Sequence, residues 1–108
     1  MPQPAQDEPV VTINVFTVAP ADQQRLADLL TRATVGGVDR APGFLGAALH
    51  RSLDGTRVTM YARWASARAY EAMRQDAGPQ PALAEALTFA TFEPGLYEVV
   101  RTFAPAGN

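Results

Sequence analysis

Four side chains stand out as chemically distinctive in this sequence: Asn14, His50, Trp64 and Tyr70. His50 is the only histidine, hence the only side chain with an unperturbed pKa near neutrality, and on chemistry alone it is the first candidate for a general base. By position it precedes a hairpin turn, where a solvent-exposed or interface histidine is the commoner outcome. Trp64, the single tryptophan, can stack on a flat ring or donate its indole N–H; it can also serve simply as a core or interface aromatic. Tyr70 offers a phenol able to hold or deliver a proton, or else a helix aromatic whose hydroxyl reaches solvent. Asn14 interrupts an otherwise apolar run, and a buried amide must find partners, either on a ligand oxygen or on backbone.

What is missing narrows the chemistry further. There is no cysteine, which removes disulfides, thiolate nucleophiles and thiolate-bound metals. All nine basic residues are arginines, so Schiff-base chemistry and a phosphate-cradling P-loop lysine are excluded. One histidine cannot build a histidine-rich metal site, and the expected metal complement is none. The net charge is −2 with scattered arginines, which argues against nucleic acid or a membrane surface as partner. No apolar run reaches the 18 or so residues of a membrane span and no signal peptide is visible, so the expected location is cytoplasmic. No carboxylate pair has a spacing that argues for acid–base work; Glu71, Glu85 and Glu98 read as solvated.

A chain of 108 residues supports one domain and one core. Residues 1–9 are polar and Pro-rich and read as a flexible tail, with a short tail at 105–108 and a single domain over 10–104. Val10 to Val18 reads as a buried strand. Pro20 opens a helix with Leu26, Leu29, Leu30 and Ala33 on its inner face, weakened or ended at Gly36-Gly37. Ala41-Pro42-Gly43 is a turn. Phe44–Leu53 and Thr56–Trp64 form a hairpin across Asp54-Gly55. Val58, Met60, Ala62 and Trp64 share one strand face, and Arg57, Thr59, Tyr61 and Arg63 the other, so Arg63 and Trp64 cannot enter one cavity from a regular strand.

Ser66 is a plausible N-cap for a helix bearing Ala69, Tyr70 and Met73 on one side. Gly78-Pro79-Gln80-Pro81 breaks it, and a short helix resumes with Leu83, Ala84 and Leu87 inward. Glu93-Pro94-Gly95 turns into a last strand over Leu96–Phe103. The order β-α-β-β-α-(α)-β is the split βαβ, an α+β ferredoxin-like fold with a four-stranded antiparallel sheet and helices on one face. The other sheet face would expose an apolar area of several hundred square ångströms, which predicts a homodimer.

Pro42-Gly43-Phe44, His50-Arg51-Ser52-Leu53-Asp54-Gly55 and Tyr61-Ala62-Arg63-Trp64, with the Tyr70 helix, give a sequence that resembles the antibiotic biosynthesis monooxygenase family of small dimeric α+β barrel proteins. The resemblance runs from about Val10 to Phe103. It implies oxidation of an aromatic polyketide, an anthrone or phenol going to a quinone with molecular oxygen, and no cofactor. In quinone-forming members an Asn four residues before a strand-end Trp, that Trp, and a Tyr six residues after it are implicated. Here the Trp and Tyr match Trp64 and Tyr70, whereas Met60 occupies the Asn position. An Arg that helps in that branch falls near Ala84 and is absent. A thioether is a poor substitute for an amide, and Asn14 is the natural replacement.

The resulting expectation is a cofactor-independent monooxygenase in which Trp64, Tyr70 and Asn14 are catalytic and Met60, Phe16, Met73 and His50 contact substrate. Because the Asn and Arg are missing, a cyclase, decarboxylase or isomerase on the same fold is the alternative, and a non-catalytic ligand-binding dimer the third. Haem degradation fits poorly with a single histidine before a hairpin turn.

Overall fold

The computed structural model describes residues 8–76, 78 and 80–106. The tail assigned to residues 1–9 therefore lies almost wholly outside the described residues, as do Pro79 of the helix break and the last two residues of the C-terminal tail.

The elements are β1 (Val10–Val18), α1 (Gln23–Thr34), β2 (Phe44–Arg51), β3 (Arg57–Trp64), α2 (Ala67–Arg74), α3 (Gln80–Ala86), β4 (Ala90–Glu93) and β5 (Leu96–Tyr97). One antiparallel sheet runs β2-β3-β1-β4, with β5 also paired to β1. This is the ferredoxin-like α+β arrangement. Residues of β1 at even positions and of β3 at even positions face the helices, as strand alternation requires: Val10, Phe16, Val18, Val58, Ala62 and Trp64 are all buried.

Local chemistry fixes the element ends. Pro20 starts a 3-10 turn that leads into α1, and α1 buries Leu26, Leu29 and Leu30. The buried Gln23 donates from Nε2 to the carbonyls of Ser52 and Arg57, both at 3.0 Å, and so ties α1 to the hairpin end. Within the hairpin turn, Asp54 Oδ1 accepts from Ser52 Oγ, Thr56 N–H and Thr56 Oγ1 at 2.8, 3.0 and 2.7 Å. Those donors, led by the Thr56 hydroxyl, lower the Asp54 carboxyl to about 2. Ser66 caps α2 by accepting from the Ala69 N–H at 3.1 Å. Gly43, at φ +86°, lets the turn before β2 lie directly on α2, where an added Cβ would stand 2.5 Å from the Ala69 Cβ.

Two expectations need correction. The last strand does not run from Leu96 to Phe103. The edge is split around Pro94-Gly95 into β4 and β5, and β4 was not foreseen. Leu96 and Tyr97 pair with Thr12 and Val11, so in antiparallel register only Val10 remains before β1 ends. The chain beyond Tyr97 has no strand left to pair with, and Val100 and Phe103 are 90% and 84% exposed. In α3, Ala84 and Leu87 do not face inward; Ala86 is the fully buried residue, with Leu83 half-buried beside it.

The core is two clusters. One gathers Phe16, Val18, Leu26, Leu29, Leu30, Val58 and Ala86; the other gathers Val10, Ala62, Trp64 and Tyr70. Between them the facing side chains are small or polar: Thr12 and Asn14 on β1, Ala33 and Thr34 on α1, Ala82 on α3. That stretch is left unfilled.

Candidate active site

The unfilled stretch is a cavity of about 190 Å³ between sheet and helices. Its sheet wall is Thr12, Asn14, Phe16, Met60, Ala62 and Trp64, with Phe92 and Pro94 at the edge. Its helix wall brings Leu30, Ala33 and Thr34 from α1, Tyr70, Met73 and Arg74 from α2, and Gln80, Ala82 and Leu83 from α3, with Val38 closing the side. An open shelf of about 520 Å³ bounded by Thr17–Ala19 and Leu87–Thr91 carries no titratable side chain and no site chemistry.

Trp64 closes one end. It is 1% exposed and is held edge-on by two rings, Phe44 at 5.3 Å and 77° and Tyr70 at 5.8 Å and 61° between centroids and planes. This packing fixes the indole, yet leaves its N–H buried with no hydrogen-bond partner. Asn14 Oδ1 is in the same condition, buried and unpartnered. An unmet buried polar atom costs about 1–3 kcal/mol, and here two of them belong to residues lining one cavity. One is a donor, the other an acceptor.

Asn14 lies directly across the ladder from Met60. Met60, in the position where the resemblance expects an amide, thus stands beside an amide on the neighbouring strand, in the same row of the sheet. Phe16 lines the cavity while stacked on Phe92 at 4.7 Å. Met60 and Met73 supply flexible apolar wall.

Tyr70 is buried, and burial is the main reason its phenol pKa is raised; Arg74 opposes the shift and Glu71 adds to it. The hydroxyl therefore stays protonated at neutral pH and donates rather than accepts protons. Arg74, one turn further along α2, has its guanidinium carbon 5.8 Å from the Tyr70 ring centroid and sits 3.6 Å from Glu71 at the rim.

Of the seven residues singled out from sequence, six meet at this cavity: Asn14, Phe16, Met60, Trp64, Tyr70 and Met73. His50 does not. It pairs with Thr59, and alternation puts both on the opposite face of the sheet, where His50 is exposed and its Nδ1 lies 3.4 Å from the Thr59 carbonyl. The reason is register: Leu49, not His50, is the residue opposite Met60. Arg63 likewise points away, exposed, with Nη2 donating to the Leu45 carbonyl at 3.3 Å.

Sequence reasoning missed Thr12 and Arg74. Both had a readable signal: Thr12 is two residues before Asn14 on the same strand face, and Arg74 is four after Tyr70 on the same helix face. Among the described residues no group of three His, Asp or Glu side chains is placed to hold a metal ion, and no helix is long and apolar enough to cross a membrane.

Comparison with known proteins identifies relatives in sequence and in fold. The family model for antibiotic biosynthesis monooxygenase matches residues 9–84. The chain is similar to the tetracenomycin-F1 monooxygenase of Streptomyces glaucescens, 36% identical over 91 residues that cover 84% of this chain and 81% of that protein. It superposes on SnoaB, a cofactor-independent oxygenase from Streptomyces nogalater, with a TM-score of 0.79 and 26% identity, covering 91% of this chain and 99% of the other. Rv0793 from Mycobacterium tuberculosis shares the fold at 20% identity and a TM-score of 0.73, over 93% of this chain and all of the other. With the match covering most of its length, the chain belongs to the antibiotic biosynthesis monooxygenase family.

Proposed function

We propose that this protein is a cofactor-independent monooxygenase that oxidises an aromatic polyketide of the anthrone or phenol type to a quinone with molecular oxygen. The observation that carries the reading is the pair of unmet buried polar atoms, Asn14 Oδ1 and Trp64 Nε1, on residues that line one slot together with the apolar side chains of Phe16, Met60 and Met73. The activities named for the Streptomyces glaucescens and Streptomyces nogalater relatives support it.

The reaction balances without a further redox partner: an anthrone CH₂ and O₂ become a quinone C=O and water. Loss of a proton gives the ring anion. The anion passes one electron to oxygen, and the radical pair joins carbon to oxygen as a peroxide anion, whose outer oxygen takes up a proton from water to give the hydroperoxide. Departure of the second C–H proton with cleavage of the O–O bond forms the carbonyl and releases hydroxide, which takes up a proton as water. The slot contributes three things. Its apolar walls hold a flat ring and exclude water. Trp64 Nε1 and the protonated Tyr70 hydroxyl donate to oxygens that gain charge along the way. Asn14 Oδ1 accepts from a substrate hydroxyl and so fixes which edge of the ring faces the indole.

A second copy of the chain is the partner this reading requires. The sheet face away from the helices presents Ile13, Val15 and Tyr61, half-buried in the single chain, and Val99, Val100 and Phe103, beyond β5 in sequence, are exposed. A dimer would bury this face.

The test is oxidation of an anthrone by metal-free protein, followed at the quinone absorption band in air and under argon. An oxygen-dependent rate above buffer supports the proposal. Met60 in the family's Asn position favours one rival, a cyclase, decarboxylase or isomerase; turnover that persists under argon would establish it and end the oxidative reading.

A further inference from the structure

The oxidation begins with loss of a substrate proton, and the slot is notable for what could accept it. Of its lining residues only Tyr70 and Arg74 are ionisable. From β1, β3, α1, α3 and the residues Phe92 and Pro94 come only neutral side chains; among the described residues no carboxylate and no histidine lines the slot. The Tyr70 phenol is protonated and can only donate. The one formal charge lining the slot is the Arg74 guanidinium, at its mouth, with Glu71 as its neighbour on the outer side of α2. The Arg74 carbonyl accepts a hydrogen bond from Gln80 Nε2, so the end of α2 is tied to the start of α3 where this charge sits.

We propose that the slot takes its substrate already ionised, as a phenolate or enolate, and that Arg74 is the positioning residue that selects this anion over the neutral acid. The identity of the ionising group rests on the monooxygenase reading; the selection of charge does not. The substrate's O–H or acidic C–H bond breaks in solution, with the proton going to water or buffer. The anionic oxygen then meets the guanidinium in exchange for Glu71, while the ring enters between Met60 and Met73 towards the indole. The arrangement needs no protein base; without Arg74 no formal charge in the slot favours the anion, and burial works towards the protonated form. Arg74 is 58% exposed in its side chain, so the preference it confers is modest, about tenfold, and weakens with salt.

A hydroxyanthraquinone dye, whose phenol and phenolate differ in colour, reads this directly and needs no turnover. Spectrophotometric titration of the dye with and without excess protein gives its pKa bound and free. With wild-type protein the bound value is expected to fall by about one pH unit, the equivalent of a tenfold preference for the anion. The fall is expected to shrink at about 0.5 M salt, to vanish in Arg74→Gln and to survive in part in Arg74→Lys; thermal unfolding confirms that both variants are folded. A bound pKa that is unchanged or raised in wild type, an equal fall in Arg74→Gln, or failure of the phenolate to bind overturns the proposal. Lack of anthrone oxidation alongside a lowered dye pKa would instead overturn the monooxygenase reading and leave anion selection standing.

Discussion

Substitution of Asn14 by Leu separates what the fold needs from what the site needs. Asn14 Oδ1 is buried and makes no hydrogen bond, a condition that costs about 1–3 kcal/mol. The side chain as a whole is only half-buried, which places the cost at the low end. Leu has nearly the same volume, loses the unmet carbonyl and gains apolar contact with Met60 across the ladder. Asn14→Leu is therefore expected to be more stable by about 1 kcal/mol, a rise in Tm of roughly 4–8 °C for a domain of this size. The comparison is made at fixed protein concentration, because dimerisation would make Tm concentration-dependent. The same change removes a hydrogen bond to substrate worth about 1–3 kcal/mol, so kcat/KM for anthrone oxidation is expected to fall by roughly 5- to 150-fold. Circular dichroism melts and the quinone assay measure the two effects on one preparation. A lower Tm together with undiminished oxidation would refute the reasoning, since it would mean that Oδ1 is satisfied by the protein and does not meet the substrate.

Trp64→Phe keeps a ring against Phe44 and Tyr70 but deletes the unpartnered N–H; a fall in kcat/KM of roughly tenfold or more is expected, with folding retained on the melt. His50→Ala, on the far sheet face, is expected to leave kcat/KM per folded protein within about twofold of wild type. Ser66→Ala removes the only side-chain cap of α2 and should cost about 1 kcal/mol in urea unfolding. The Asp54 carboxyl is held at about 2, below its ordinary 3.8, so its hydrogen bonds stabilise the hairpin turn fully above that ordinary, unfolded value. That contribution is lost as pH falls through the window between the two. Asp54→Asn should therefore differ from wild type in stability at neutral pH and converge with it near pH 2, and acid titrations of both proteins would show this.

Much of this architecture could be read from residue order because local and global signals agree. Alternation along Val58–Trp64, the Asp54-Gly55 turn and the leucine spacing of α1 each specify one element and one buried face, and the structure contains them. The C-terminal edge was misread for a reason composition cannot reveal. Leu96–Phe103 has strand-forming residues, but a strand needs a partner, and β1 begins too late in the register to offer one beyond Tyr97. The slot was partly legible. Phases of β1 and β3 put Asn14, Phe16, Met60 and Trp64 on one wall. Arg74 is hard to read from sequence because an arginine in the last turn of a helix is most often a solvated charge, and only the packing of α2 brings it to the slot that Tyr70 lines. His50 was chosen for its pKa, whereas its placement depends on a one-residue phase in β2 that is interrupted by the bulge between Phe44 and Gly46.

The central claim is that the slot itself, with Asn14 and Trp64 meeting a flat substrate, directs dioxygen onto carbon. Single-turnover oxidation of an anthrone by metal-free protein under ¹⁸O₂, with mass analysis of the quinone, tests it most directly. One ¹⁸O atom in the new carbonyl, formed faster than in buffer and more slowly in Trp64→Phe, is the expected result. A quinone formed no faster than in protein-free buffer, or labelled from water instead of from dioxygen, would contradict the account.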